Sequence, residues 1–167
     1  VAAAFQLNAF ALDVQTHTAG EAGFIVNSHL VMGKKEALLV DAQFTRSEAR
    51  KLAKTIKDSG RELKRIFITH GHPDHYFGLE VLKKEFPTAK VLASSSVIED
   101  IKATAKGKLE YWKGVYKDDL ADEIVMPEAL DANELVIEGE KIQVVAISPG
   151  ESEHASALYI PASHVLI

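Results

Sequence analysis

From Phe24 to Met32 the chain is rich in β-formers, and after Gly33-Lys34-Lys35 the apolar run Ala37-Leu38-Leu39-Val40 follows, which predicts a hairpin ending at Asp41. Thr45-Arg46-Ser47-Glu48 has the form of a capping box. Behind it Ala49, Leu52, Ala53 and Ile56 recur at helical spacing, and Gly60 supplies a stop. Arg65-Ile66-Phe67-Ile68-Thr69 reads as a short buried strand. From Tyr76, the apolar positions Leu79, Leu82 and Phe86 mark a helical face that Pro87 terminates, and a strand is expected at Lys90 to Ala93. Ser96-Val97-Ile98-Glu99 repeats the capping-box form and opens another helix, which Gly107 is expected to interrupt ahead of Tyr111, Trp112 and Tyr116. After Pro127 the pattern turns to strands. Glu134 to Ile137 and Ile142 to Ile147 flank a turn at Gly139. Ala157 to Ile160 and Val165 to Ile167 flank Pro161-Ala162-Ser163, and the last run stops without a turn signal, so the sequence reads as breaking off in mid-strand. Two sheet-forming regions with helices between them predict an α/β sandwich.

Composition narrows this picture. At 167 residues and 47% hydrophobic content, a single domain spanning residues 1–167 is expected. A net charge of −5 with mixed signs gives no footprint for nucleic acid, no polybasic cluster suggests a membrane surface, and no apolar run approaches the ~20 residues of a spanning helix. The expected partner is a small molecule; the oligomeric state is not readable. Cysteine is absent, so a transition-metal site has only His, Asp and Glu to draw on. The start Val1-Ala2-Ala3-Ala4-Phe5 is like the small residues left around a signal-peptide cleavage site. That suggests a periplasmic or secreted protein, and otherwise a cytoplasmic one.

The chemistry concentrates in Thr69-His70-Gly71-His72-Pro73-Asp74-His75. His70 and His72 are two apart, so in an extended segment leaving a strand their side chains project to one side and can grip one ion. Pro73 biases His72 toward that extended conformation. Asp74 and His75 fall at the start of the next helix, where the dipole favours an ionised carboxylate and a neutral imidazole, the forms a metal requires. They are placed to serve a second ion. Three histidines and an aspartate in a loop after a buried strand have no comparable packing explanation, whereas His17, His29 and His164 stand alone and are assigned no role. Tyr111, Trp112 and Tyr116, with Lys113 and Lys117, either flank the site as a flap or pack one face of a helix.

This run, followed by Gly78, resembles the histidine motif of the metallo-β-lactamase fold superfamily, which includes β-lactamases, glyoxalase II-like thioesterases, lactonases and persulfide dioxygenases. Asn27-Ser28-His29-Leu30-Val31, Leu39-Val40-Asp41-Ala42 and Ser148-Pro149-Gly150 occur in the family's order, so the resemblance runs from about Phe24 to the last residue. It implies an αβ/βα sandwich with an incomplete second half, a metal site at the sheet edge holding one or two zinc ions, with iron or manganese as substitutes, and a role for Asp41 behind the ligands. The family's next ligand is a histidine just after the Pro-Gly turn. Here that place holds Glu151, with His154 three residues on, and both remain candidates. A His-His-Glu set is compatible with catalytic zinc. The family also has a bridging aspartate and a final histidine further along, which this chain does not reach, so a longer parent is expected.

The implied activity is hydrolysis of an ester, thioester, lactone or lactam carbonyl by a metal-activated water, with Asp74 as proton acceptor. Iron-dependent chemistry of the persulfide dioxygenase kind is the rival enzyme reading, and a truncated domain with weak or no metal binding and no activity is the rival outside enzymes.

Overall fold

A computed structural model describes residues 11–130, 132–147 and 150–167. The Val1 to Phe5 start and Ser148-Pro149 of the Pro-Gly turn lie outside the described residues. The elements, in chain order, are β1 (Asp13–Thr18), β2 (Asn27–Met32), β3 (Glu36–Val40), α1 (Arg46–Asp58), β4 (Glu62–Phe67), α2 (Pro73–Tyr76), α3 (Leu79–Glu85), β5 (Lys90–Ala93), α4 (Ser95–Tyr116), β6 (Glu128–Ala129), β7 (Glu134–Ile137), β8 (Glu140–Ile147), β9 (Ala155–Ile160) and β10 (Val165–Leu166).

They form two sheets. The first has the order β1-β2-β3-β4-β5-β6, antiparallel through β3 and parallel from β3 to β6, and the second has the order β10-β9-β8-β7, antiparallel throughout. The central strands of the first sheet are covered on both faces. Leu39 and Ile66 pack toward the helices with Leu52, Ile56, Leu79 and Ile101, while Leu38, Val40 and Phe67 meet Leu135, Ile142, Leu158 and Ile160 of the second sheet. That double burial is why Ala37 to Val40 is an unbroken apolar run instead of an alternating one. In the second sheet alternation returns: Ile142 is buried, and Val136 and Val145 are exposed.

Hydrogen bonds tie the sheets together at both ends. At one end Glu138, in the β7–β8 turn, accepts the backbone N–H groups of Lys34, Lys35 and Glu36 at 2.8, 2.6 and 3.0 Å. Glu138 and Gly139 have φ of 48° and 88°, the two positive values a tight hairpin turn needs. At the other end the Ser156 N–H donates to the Thr69 carbonyl at 2.9 Å, and His70 bridges to Ala155. On the helical side, Arg46 of α1 holds the buried Glu80 of α3 through both carboxylate oxygens and also reaches Asp122 beyond α4.

Most predicted elements appear where the pattern puts them, and the departures have local causes. Thr45 caps α1 by accepting the Glu48 N–H at 3.2 Å, but the Glu48 carboxylate pairs with Lys51, so only half of the capping box forms. Gly107 does not interrupt α4, which runs unbroken through it. A methyl group there would meet nothing within 4 Å among the described residues, and the glycine costs the helix only about 1 kcal/mol. Trp112 and Tyr116 pack against Phe24 and Phe44, with ring centroids 4.9 to 6.4 Å apart, so these two serve the core; Tyr111 is exposed. β1 has an exposed, polar-rich pattern and gives no apolar signal in the sequence.

The break between α2 and α3 falls at Gly78, whose N–H donates to the Gln43 carbonyl at 2.9 Å. A Cβ at Gly78 would lie 2.0 Å from the Ala42 carbonyl oxygen and 3.0 Å from the Ala49 Cβ. Gly78→Ala is therefore expected to lower stability by about 2–3 kcal/mol or more, and Gly107→Ala to raise it by about 0.5–1 kcal/mol. Urea unfolding midpoints test both, and a Gly78→Ala midpoint equal to wild type would contradict the close approach.

Candidate metal centre

Both strands that deliver the chemistry, β3 and β4, are parallel neighbours, and the residues just past their C-terminal ends meet. Asp41 leaves β3 with φ of 62°, and Gln43 follows at 72°. This left-handed course turns the chain under the β4 loop: Asp41 N–H donates to the Phe67 carbonyl at 2.9 Å, and Ala42 N–H to the His75 carbonyl at 2.7 Å. The buried Gln43 amide is anchored on the Val26 carbonyl and the Ser28 hydroxyl at 3.1 and 2.8 Å.

So placed, the buried Asp41 carboxylate accepts the Thr69 N–H at 2.9 Å and the Thr69 hydroxyl at 2.7 Å, and its Oδ2 lies 2.7 Å from His75 Nδ1. With the Thr69 hydroxyl proton committed to Asp41, the oxygen is left to accept from His70 Nδ1, 2.9 Å away. Both imidazoles thereby carry a proton on Nδ1, and each ring, when neutral, directs an Nε2 lone pair outward. The His70 Nε2 is buried and has no hydrogen-bond partner among the described residues. A buried acceptor left without a donor costs about 1–3 kcal/mol, and a cation at that position removes the cost.

His72 has an extended backbone (φ −82°, ψ 137°), as a residue before proline prefers, and its ring lies edge-on to His70 at 4.7 Å between centroids. The His70 and His75 rings are 4.0 Å apart. Glu151 approaches from the other side of the sandwich, with Oε1 3.7 Å from His72 Nδ1. One ligand atom each from His70, His72 and Glu151 falls within a 4.8 Å cluster, a set that could hold one ion. Asp41, His70 and His75 meet the same criterion, but both Asp41 oxygens are already engaged. Asp74 stands apart from both groups: its Oδ2 is 3.6 Å from His75 Nε2, so together these two offer a pair of donors beside the first set. His154, the other candidate, does not join them. Its Nδ1 is 3.0 and 3.2 Å from the Asp100 carboxylate oxygens.

Electrostatics separate the histidines. Burial pushes the His70 pKa down, helped by the neighbouring His75 and His72 and opposed by Asp41, so the ring is held neutral. For His75, burial also disfavours the cation, but the charge and hydrogen bond of Asp41 outweigh it, and the pKa rises. The site opens into a cleft of about 450 Å³ whose walls include Asn27, His29, Ile147, Ala157 and Leu166. His29, assigned no role from the sequence, lines this cleft, with its Nδ1 3.0 Å from the Thr16 hydroxyl. Asp100 carried no sequence signal, because its partner lies 54 positions away.

Comparison with known proteins identifies relatives of the chain and of its fold. Over 71 residues the chain is 37% identical to the uncharacterized protein YobT of Bacillus subtilis (strain 168), a match that spans 42% of this chain and 30% of YobT. The fold superposes on the BLEG-1 B3 metallo-beta-lactamase with a TM-score of 0.68 at 17% identity, covering 92% of this chain and 70% of that one. The metallo-beta-lactamase from Pontibacter korlensis gives 0.68 at 19% identity over 93% and 70% of the two chains. FEZ-1 from Legionella gormanii gives 0.61 at 18% identity, over 80% of this chain and 51% of FEZ-1. A family profile described as the metallo-beta-lactamase superfamily matches residues 22–167. The chain belongs to the metallo-beta-lactamase superfamily.

Proposed function

We propose that this protein is a metal-dependent hydrolase of small molecules carrying an ester, thioester, lactone or lactam carbonyl, with zinc as the resident ion. The observation that carries the reading is the buried Nε2 of His70, without a hydrogen-bond partner among the described residues, on a ring that clusters with His72 and Glu151 in a cysteine-free set of nitrogen and oxygen donors. His70, His72 and Glu151 would hold the ion. When bound, a divalent ion of this kind supplies Lewis acidity, lowering the pKa of water and polarising a carbonyl oxygen.

The remaining work falls to the chain. Asp74 is partly exposed, at 21%, and accepts a proton from the attacking water at its carboxylate. Asp41 holds His75 with Nε2 facing Asp74 and keeps the ring from turning. Asp74 and His75 offer a second ion two donors, so the first set of three holds its ion more tightly. The cleft wall, which includes apolar Ile147, Ala157 and Leu166 and polar Asn27 and His29, suits a compact substrate of mixed polarity.

A second reading has its own support. Two imidazoles and one carboxylate are also the donor set of non-haem iron sites, so iron-dependent oxygen chemistry of the persulfide dioxygenase kind competes with hydrolysis, and manganese is a further substitute. Elemental analysis of protein purified without added metal separates the two. Zinc near one equivalent per chain supports hydrolysis, and iron supports oxygen chemistry.

His72→Ala is expected to abolish metal retention and turnover together, and normal metal content in that variant would rule out the proposed ligand set. Asp41→Asn keeps the shape of the side chain but removes the charge that orients Thr69 and His75. It is expected to weaken metal affinity by about 10–100-fold in equilibrium dialysis, and unchanged affinity would show that Asp41 serves only the turn.

A further inference from the structure

Glu151 and His154 share one short loop yet face different neighbours. The loop is compact: Gly150 N–H donates to the Ser152 carbonyl at 3.2 Å, and the Ser152 hydroxyl to the His154 carbonyl at 2.5 Å. Its far end is fixed by the Ser156 to Thr69 hydrogen bond and the bridge between His70 and Ala155. Its middle is held by Asp100 of α4, on which the His154 imidazole rests.

The same helix also holds the other ligand loop. Gly71 lies so close to α4 that a Cβ there would stand 3.1 Å from the Asp100 Cβ, and Lys108, two turns further along, donates to the Gly71 carbonyl at 2.8 Å. One face of α4 therefore grips the loop of His70 and His72 and, through Asp100, the loop of Glu151.

We propose that Asp100, acting through His154, is a positioning residue for the third ligand: it withholds the His154 imidazole from the ion and leaves Glu151 facing His72. The proposal rests on the metal-centre reading above. Its chemical consequence is a donor set of two imidazoles and one carboxylate, one negative charge more than three imidazoles would bring and better matched to harder ions. The pairing also explains why the histidine nearer in chemistry to the family ligand is not the one beside His72.

The test is a Co(II) titration of metal-free wild type, Asp100→Ala, Asp100→Asn, His154→Ala and the Asp100→Ala/His154→Ala double variant, read by affinity and by the visible absorption bands. Asp100→Ala and His154→Ala are each expected to lose about 10-fold or more in Co(II) affinity, and the double variant no more than the weaker single, because all three lack the same contact. Asp100→Asn retains an acceptor for the imidazole N–H and is expected to stay near wild type. A band shift in Asp100→Ala that disappears in the double variant would mark His154 entering the coordination sphere and support the proposal. Wild-type affinity and bands in both single variants, or losses that multiply in the double variant, would overturn it. Asp100→Asn and His154→Ala keep the test decisive if Asp100→Ala misfolds: a loss in His154→Ala with Asp100→Asn near wild type supports the proposal, and no loss in His154→Ala overturns it. Wild type that takes up no Co(II) would overturn the metal centre itself and the proposal with it, a result distinct from equal binding by all variants.

Discussion

The Asp41 carboxylate organises the end of the sandwich where the chemistry sits. It is buried, it stands on a left-handed residue, and it joins the Thr69 backbone, the Thr69 hydroxyl and the His75 ring. A non-glycine residue at positive φ costs about 1–3 kcal/mol, least for aspartate and asparagine, and persists only where the surroundings compensate. Here the hydrogen bonds of Asp41 do so. Through Thr69 the same carboxylate sets the His70 tautomer, so one side chain fixes the direction of two imidazole lone pairs.

The sandwich supplies what Asp41 cannot. His70 and His72 belong to the first sheet's side of the site, and Glu151 to the second, so the distance between them depends on how the two sheets are held. The inter-sheet core of Val40, Phe67, Leu158 and Ile160 sets their separation, and hydrogen bonds at both ends limit slippage: Glu138 on the backbone of Lys34 to Glu36, and Ser156 on Thr69. Packed interiors deform little, so a set of candidate donors split between two sheets stays in register without a covalent link.

Local features were readable from the sequence, and tertiary ones were not. The run from Thr69 to His75 could be read as a candidate site because its spacing, its proline and its position after a buried strand lie within seven consecutive residues. The hairpins around Lys34 and Gly139 and the helix opened by Thr45 were equally local. Glu151 and His154 could not be separated in this way, because what distinguishes them is Asp100, brought near by α4. β1 was missed because an edge strand reading Asp-Val-Gln-Thr-His-Thr buries little and needs few apolar residues. Gly107 misled in the opposite direction: a helix held along one face by Val97, Ile98, Ile101 and Ala105 tolerates a glycine on its open face.

The central claim is that the fold prepares His70 and His75 as metal ligands before any metal arrives, by holding a proton on Nδ1 of each ring. Long-range proton–nitrogen NMR of the metal-free protein with labelled histidine reads this directly. A protonated Nδ1 is expected at both residues, with a free Nε2 at His70 whose resonance shifts when zinc is added. An Nε2–H tautomer at His70, or an Nε2 resonance there that zinc leaves unmoved, would contradict it.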